Sequence, residues 1–147
     1  LSRDITRFSH VENHTSEKPE QFAVREAETP TGDAEHALVR VNRIGVCGTD
    51  MHAYFGRHPY IRYPVVLGHE LSGTIVQLPG GSSNLNVGDH VSIEPFRSCG
   101  DCHACKLGKS NCCLKMALIG IHIDGGMQPL IRVLPQYLYS SSSPLRD

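Results

Sequence analysis

Four cysteines packed into fifteen residues restrict this chain more than any other feature of its sequence. Cys99, Cys102, Cys105 and Cys113 read C-x2-C-x2-C-x7-C. The two short spacings let consecutive thiolates wrap one ion, and the longer arm carries the fourth over the remaining face. Four thiolates at about 2.3 Å in a closed tetrahedron form a structural zinc site, with no open position for chemistry. Its binding free energy becomes folding free energy for a segment with few apolar residues of its own. His103 and Cys112 are alternative ligands; Cys112 directly precedes Cys113, and the choice between them rests on spacing. A disulfide framework would spread its cysteines through a small secreted domain. Here they are clustered, and the N-terminus lacks a basic region followed by an apolar block. The pattern points to metal in a reducing compartment, the cytoplasm.

Around this cluster the chain is punctuated into short apolar runs. Gln21 to Glu28 alternates weakly, as a strand does. Ala37 to Ile44 is strand-like, with Leu38 and Arg40 on one face and Val39 and Val41 on the other. Ser72 to Leu78 and His90 to Glu94 read as further strands. Turn clusters fall at Thr29 to Asp33, Pro79 to Asn84 and Val87 to Asp89. Thr49 to Gly56 reads as a short helix, Arg57 to Pro64 as a proline-bracketed loop, and Ser98 to Cys113 as a cysteine-rich loop. Asp124-Gly125-Gly126, between Ala117 to Ile123 and Met127 to Leu134, carries the Asp-Gly signal of a β-hairpin. Leu1 to Ser16 is polar and without period, an irregular lead-in, and the tail from Ser140 is polar. Many short strands between turns predict a mainly β domain, sandwich or barrel, over residues 17–147.

The 147 residues suffice for one domain with a core. A net charge of -1 gives no sign of the basic face that nucleic-acid binders usually carry. No apolar run approaches the length of a membrane span.

A second donor set lies in two glycine-punctuated segments, Gly45-Val46-Cys47-Gly48-Thr49-Asp50-Met51-His52 and Gly68-His69-Glu70. A thiol, an imidazole and a carboxylate, with a hydroxyl and a second imidazole within five residues of the thiol, equip an open, reactive zinc site. Taken singly, each has a plainer reading: Thr49 as a helix N-cap, Asp50 as a turn or cap residue, and His52 as a surface histidine. His58, His90 and His122 read as structural or exposed, with His58 the one near the pocket.

GVCGTDMH, GHELSG, VGDHV and CGDCHACKLGKSNCC, in this order, resemble the catalytic domain of the zinc-dependent medium-chain alcohol dehydrogenases. HPYIRYPVVLGHE and IGIHIDGG are similar to the branch that contains sorbitol, threonine and related polyol or sugar-acid dehydrogenases. The resemblance covers roughly residues 20 to 140. It implies a GroES-like, partly open β-barrel with a zinc-binding cysteine-rich lobe and few short helices. It also implies two zinc ions, one structural at Cys99, Cys102, Cys105 and Cys113 and one catalytic. Cys47 and His69 match the first two catalytic ligands, and Glu70 the neighbouring carboxylate that can coordinate the metal. Thr49 matches the hydroxyl that contacts the substrate oxygen, His52 a position that passes the proton to solvent, and Asp50 the carboxylate that orients the ligand histidine. In the implied reaction, Lewis acidity lowers the alcohol's pKa. A hydroxyl, which both donates and accepts, hands the proton on. The alkoxide then expels hydride to NAD or NADP. The implied substrate is a small alcohol, polyol or sugar acid, with no nucleic acid or membrane partner, and the full-length form is a homo-oligomer.

The chain departs from that pattern in three ways. No G-x-G-x-x-G occurs in the 147 residues, so the expectation is a nucleotide-binding domain outside them and a chain inactive alone. The third catalytic ligand, a Cys or acidic residue, is expected beyond Asp147. Pro79 replaces a small residue, and Pro129-Leu130 an acidic-aromatic pair. A proline there cannot donate to a ladder, which predicts an edge or bulged strand. Two competing classes are a non-catalytic module with only the four-cysteine site filled, and a zinc-ribbon-like nucleic-acid binder. The near-zero charge disfavours the latter.

Overall fold

The computed structural model describes residues 9–80 and 84–140. Leu1 to Phe8 of the lead-in, Gly81 to Ser83 of the second turn cluster, and the tail after Ser140 lie outside them. The described chain is mainly β. Strand β1 (His10–Lys18) pairs antiparallel with β2 (Gln21–Glu28). The link between them turns at Glu20, whose φ is 63°. Strand β4 (Val65–Val66) closes the other side of β1, giving a three-stranded sheet in the order β2-β1-β4. The expected irregular lead-in is therefore a strand from His10 onward. Its sequence shows no clean alternation, because Val11, Thr15 and Ser16 are buried by two flanking strands rather than by one apolar face.

The main sheet has five antiparallel strands. β10 (Leu138–Ser140), β6 (His90–Ile93), β5 (Glu70–Gln77), β3 (Ala37–Gly45) and β9 (Leu130–Val133) lie side by side in that order. The sheet does not close on itself. Strand β9 is its edge and starts directly after Pro129, whose carbonyl accepts the Val41 amide at 2.9 Å. The proline thus sits where no ladder donor is needed, as its chemistry requires. Ala37, Leu38 and Val39 are all at most 1% exposed, so both faces of the start of β3 are covered. One core gathers Val39, Leu71, Ile75, Val91, Ile131 and Val133 around this sheet.

A two-stranded ribbon, β7 (Phe96–Arg97) with β8 (Ala117–Leu118), brackets the cysteine-rich segment. Within that segment stand only a one-turn helix, α2 (His103–Lys106), and a 3-10 turn (Ser110–Cys112). No helix among the described residues is long and apolar enough to cross a membrane.

The hairpin expected at Asp124-Gly125-Gly126 does not form. β8 pairs with β7 and β9 with β3. Residues 124–127 zip instead along residues 66–68. Asp124 Oδ1 accepts the Val66 amide at 2.9 Å, and the amides of Gly125, Gly126 and Met127 donate to Val66, Gly68 and Leu67. A Cβ on Gly125 would stand 2.3 Å from the Gly68 carbonyl oxygen. The glycine therefore serves close backbone approach rather than a tight turn. A second apolar cluster, Ala53, Val65, Leu67 and Ile121, fixes this zipped region. Burial of Leu67 alone contributes about 2 kcal/mol.

Candidate metal centre

Strand β3 ends at Gly45 and delivers Cys47 to the start of α1 (Gly48–Tyr54). Cys47, and not Thr49, is the N-cap. Its sulfur accepts the Thr49 amide at 3.3 Å, and Asp50 Oδ2 reaches back to the Cys47 amide at 3.0 Å, completing a capping box. Asp50 is thus the cap residue its type suggests, and it does more. It is 3% exposed, and its Oδ1 accepts the Gly68 amide at 3.2 Å. One buried carboxylate ties the Cys47 loop to the Gly68-His69 loop.

That tie, with the Gly45–Glu70 pair that ends the β3–β5 ladder, brings the thiol and the imidazole together. Cys47 Sγ stands 3.1 Å from His69 Nε2. His69 Nδ1 lies 3.4 Å from Asp50 Oδ1, a close electrostatic contact, yet this buried atom makes no hydrogen bond. A ligand on Nε2 would place the ring proton on Nδ1, facing the carboxylate, the usual arrangement behind a metal-bound histidine. Donor atoms of Cys47, Asp50 and His69 all fall within 4.8 Å of one another. The thiol and the imidazole Nε2 fit two ligands of a zinc ion, whose ligands stand at about 2.0–2.3 Å, with the Asp50 carboxylate behind the ring at Nδ1.

The other expected residues lie outside this close donor group. Thr49 is half-buried on the first turn of α1, and His52 is exposed on the same helix. Glu70 does not join the close donor group. It is exposed at the start of β5, opposite Gly45, with its carboxylate lying against that glycine.

The four-cysteine lobe is more compact. Cys99, Cys102, Cys105 and Cys113 bring their sulfurs within 4.8 Å of one another, with Cys99–Cys113 and Cys102–Cys105 each at 3.5 Å. A disulfide needs about 2.05 Å, whereas two sulfurs of one tetrahedral zinc stand roughly 3.8 Å apart. Backbone amides of Cys99, Cys102 and Lys115 point at the sulfurs, as thiolates require. Amides of Cys105 and Leu114 draw the Cys102 thiol down to about 6, and the Asp101 and Cys102 amides lower Cys99. Desolvation, aided by the neighbouring thiols, pushes Cys105 up to about 12. Cys112 and His103 are exposed and outside the cluster.

Two further histidines, His58 and His122, expected as structural or exposed, come close to one another near the first centre. His58 is held below its ordinary value by burial first, then by the charges of His122, His52 and His69. His122 therefore stands near His58, although the chain separates them by more than sixty residues. The signal available in sequence was two histidines on the borders of two expected loops. A cleft of about 710 Å³ lies beside them, lined by Tyr60, Arg62, Tyr63, Ile121, His122 and Asp124 among others. A cleft of about 780 Å³ between β2 and β3, lined by Phe22, Val41, Ile44 and Met127 among others, holds none of the donor residues. Its size carries no chemistry.

Residues 33–143 match the family described as the alcohol dehydrogenase GroES-like domain. The starvation-sensing protein RspB of Escherichia coli K12 is 44% identical over 110 residues, 75% of this chain and 32% of the relative. L-galactonate-5-dehydrogenase of the same organism is 39% identical over 124 residues, 81% of this chain and 36% of the relative. A crystal structure of the short chain alcohol dehydrogenase RspB from Escherichia coli CFT073, complexed with cofactor NADH, superposes with a TM-score of 0.82 at 37% identity. That match covers 90% of this chain and 39% of the other. The chain spans about a third of the length of the curated relatives it matches.

Proposed function

Because the chain belongs to the alcohol dehydrogenase GroES-like domain family, we propose that it is the catalytic-domain portion of a zinc-dependent alcohol or polyol dehydrogenase. Cys47 and His69 would hold the catalytic zinc, and Cys99, Cys102, Cys105 and Cys113 the structural one. The observation that carries this reading is the convergence of Cys47, Asp50 and His69 donors within 4.8 Å, tied by one buried carboxylate.

Zinc would supply Lewis acidity that lowers an alcohol's pKa, and a nicotinamide, NAD or NADP, would accept the hydride. The chain's own residues do the rest. Asp50 orients His69 through Nδ1 and fixes the spacing of the two loops. Thr49 Oγ1 accepts the substrate's proton and donates its own onward. His52, exposed on the outer face of α1, releases that proton to solvent. Glu70, beside His69, would be the further carboxylate able to coordinate the zinc.

The nicotinamide carrier is a nucleotide-binding domain supplied outside these residues, so the 147-residue chain by itself does not oxidise alcohols. Cytoplasmic localisation follows from the free thiols that both centres need. Metal analysis tests the reading. About two zinc per chain supports a filled catalytic centre, and about one supports a module with only the four-cysteine lobe loaded. Turnover of a polyol with NAD(P) by the purified chain would overturn the claim of inactivity.

A further inference from the structure

Two imidazoles that the metal chemistry does not use stand beside the centre. His58 lies in the loop after α1, and His122 in the loop that follows β8. Tyr60 lies between them, its ring centroid 6.1 Å from His58 and 6.2 Å from His122, with the second pair stacked at 28°. The same device holds each imidazole. The Tyr60 amide donates to His58 Nδ1 at 3.4 Å, and the Leu118 amide donates to His122 Nδ1 at 3.1 Å. A ring nitrogen that accepts a backbone N–H carries no proton, so in each neutral ring the proton sits on Nε2. Both Nε2 atoms are therefore donors and neither is an acceptor. A face built this way takes oxygen lone pairs.

The groups that act on His58 are three further imidazoles, those of His122, His52 and His69. Arg62 lines the adjoining cleft and has no ion-pair partner among the described residues. The carboxylate in that lining, Asp124, has its Oδ1 committed to the Val66 amide. Donors and a cation are offered to the cleft, and one oxygen of its acid is taken by the backbone.

We propose that the His58–Tyr60–His122 face, with Arg62 at its rim, receives an anionic group of the substrate, a carboxylate or phosphate on the carbon chain that bears the reacting hydroxyl. The inference rests on reading Cys47 and His69 as the metal centre, because that places the hydroxyl at one end and the anion at the other. It narrows the substrate from alcohols in general to aldonic acids or sugar phosphates, and away from neutral polyols. Charge-assisted hydrogen bonds are roughly twice as strong as neutral ones, so an anion gains more here than a hydroxyl does.

Calorimetric titration of the zinc-loaded chain with a six-carbon aldonate, the matching alditol and its terminal phosphate tests this. One anion is expected to bind about tenfold more tightly than the alditol at low salt. The preference should fall as ionic strength rises. His58→Gln, His122→Gln and the exposed Arg62→Gln should each reduce it, with alditol affinity unchanged. Binding of the aldonate alone identifies a carboxylate, and of the phosphate alone a phosphate. Equal affinity for charged and neutral probes, no binding of either anion, or a preference untouched in all three variants overturns the proposal. The cobalt(II) signal that Cys47→Ser removes reports the metal centre separately. If that signal is present and no anion is preferred, only this inference fails. If it is absent, the failure belongs to the metal reading.

Discussion

Asp50 Oδ1 accepts the Gly68 amide at 3.2 Å, while the other oxygen of the same carboxylate accepts the Cys47 amide at 3.0 Å. The side chain spans the two loops just beyond the last pair of the β3–β5 ladder, Gly45 with Glu70. It stands where a metal's outer support is expected and also completes the cap of α1. Stability and metal affinity are therefore coupled through one residue. Asp50→Asn keeps the shape and one acceptor oxygen, but puts an amide nitrogen against a backbone donor. It should lower cobalt or zinc affinity by about 10–100-fold and stability by about 1–3 kcal/mol. Metal titration and thermal unfolding of the apo chain read the two effects separately. Unchanged affinity in the variant would show that Asp50 only caps the helix.

Gly125 and Gly68 make a sharper test of how the zipped loops are built. Gly68 has φ +93°, and a Cβ there would stand 3.2 Å from Ile44 Cγ2, 3.3 Å from Met127 Cγ and 3.4 Å from the Met127 backbone nitrogen, tight but short of overlap. Its replacement by Ala costs mainly left-handed strain, about 1–2 kcal/mol. Gly125→Ala would set a Cβ 2.3 Å and 2.5 Å from the carbonyl oxygens of Gly68 and Leu67. Neither backbone atom can give way without breaking the zip. Denaturant unfolding should find Gly125→Ala the more destabilising of the two, with a loss of about 3 kcal/mol or more.

The same two glycines mark the limit of what sequence disclosed. Asp-Gly between apolar runs signals a hairpin, but its physical content is only a short side chain that binds backbone and a residue without Cβ. Both properties serve equally to dock one loop on another, and only the chain around Val66 decides between them. Strands with apolar alternation were legible to within a residue or two, as at Gln21–Glu28 and Ala37–Gly45. The four-cysteine cluster was legible because its spacing is itself the geometry. β1 was not, since its burial comes from partners at Val24 and Val66 rather than from its own pattern. The pairing of His58 with His122 was hidden for the same reason: neither residue has a local signal, and the fold alone makes them neighbours. The Cys47 and His69 segments stood out by residue type, while the distance between them had to come from the β3–β5 register and from Asp50.

Asp33 predicts a pH effect away from both centres. The amides of Glu35 and His36, then the His36 ring, hold its carboxyl down at about 2 against an ordinary 3.8. Arg132 on β9 stands 3.6 Å away. A depressed carboxyl stabilises the fold above its unfolded pKa, and that contribution is lost as pH falls from about 4 toward 2. Carboxyl NMR titration should find the Asp33 midpoint near 2. Asp33→Asn should make unfolding free energy less sensitive to acid over the same range. A midpoint near 4 would remove the effect.

Metal removal should dismantle the two centres unequally. Residues 99–113 contribute Cys113 as their one buried residue, so the lobe has almost no apolar core of its own. Its order depends on whatever joins the four sulfurs. A chelator strong enough to strip both sites should expose the lobe to proteolysis between Ser98 and Cys113, with the five-stranded sheet still folded. Cys102→Ser should reproduce that cleavage in metal-replete buffer and lower bound zinc by about one per chain. Cys112→Ser should do neither, because its exposed thiol lies outside the cluster. Cys47→Ser should also lower bound zinc by about one. It should leave the lobe resistant, because the loops at Cys47 and His69 are held by Asp50, Leu67 and the Gly125 zip. Limited proteolysis with mass mapping, paired with metal analysis of each variant, separates these outcomes. Cleavage of the lobe in Cys47→Ser, or its persistence intact in Cys102→Ser, would contradict the division of labour between the two sites.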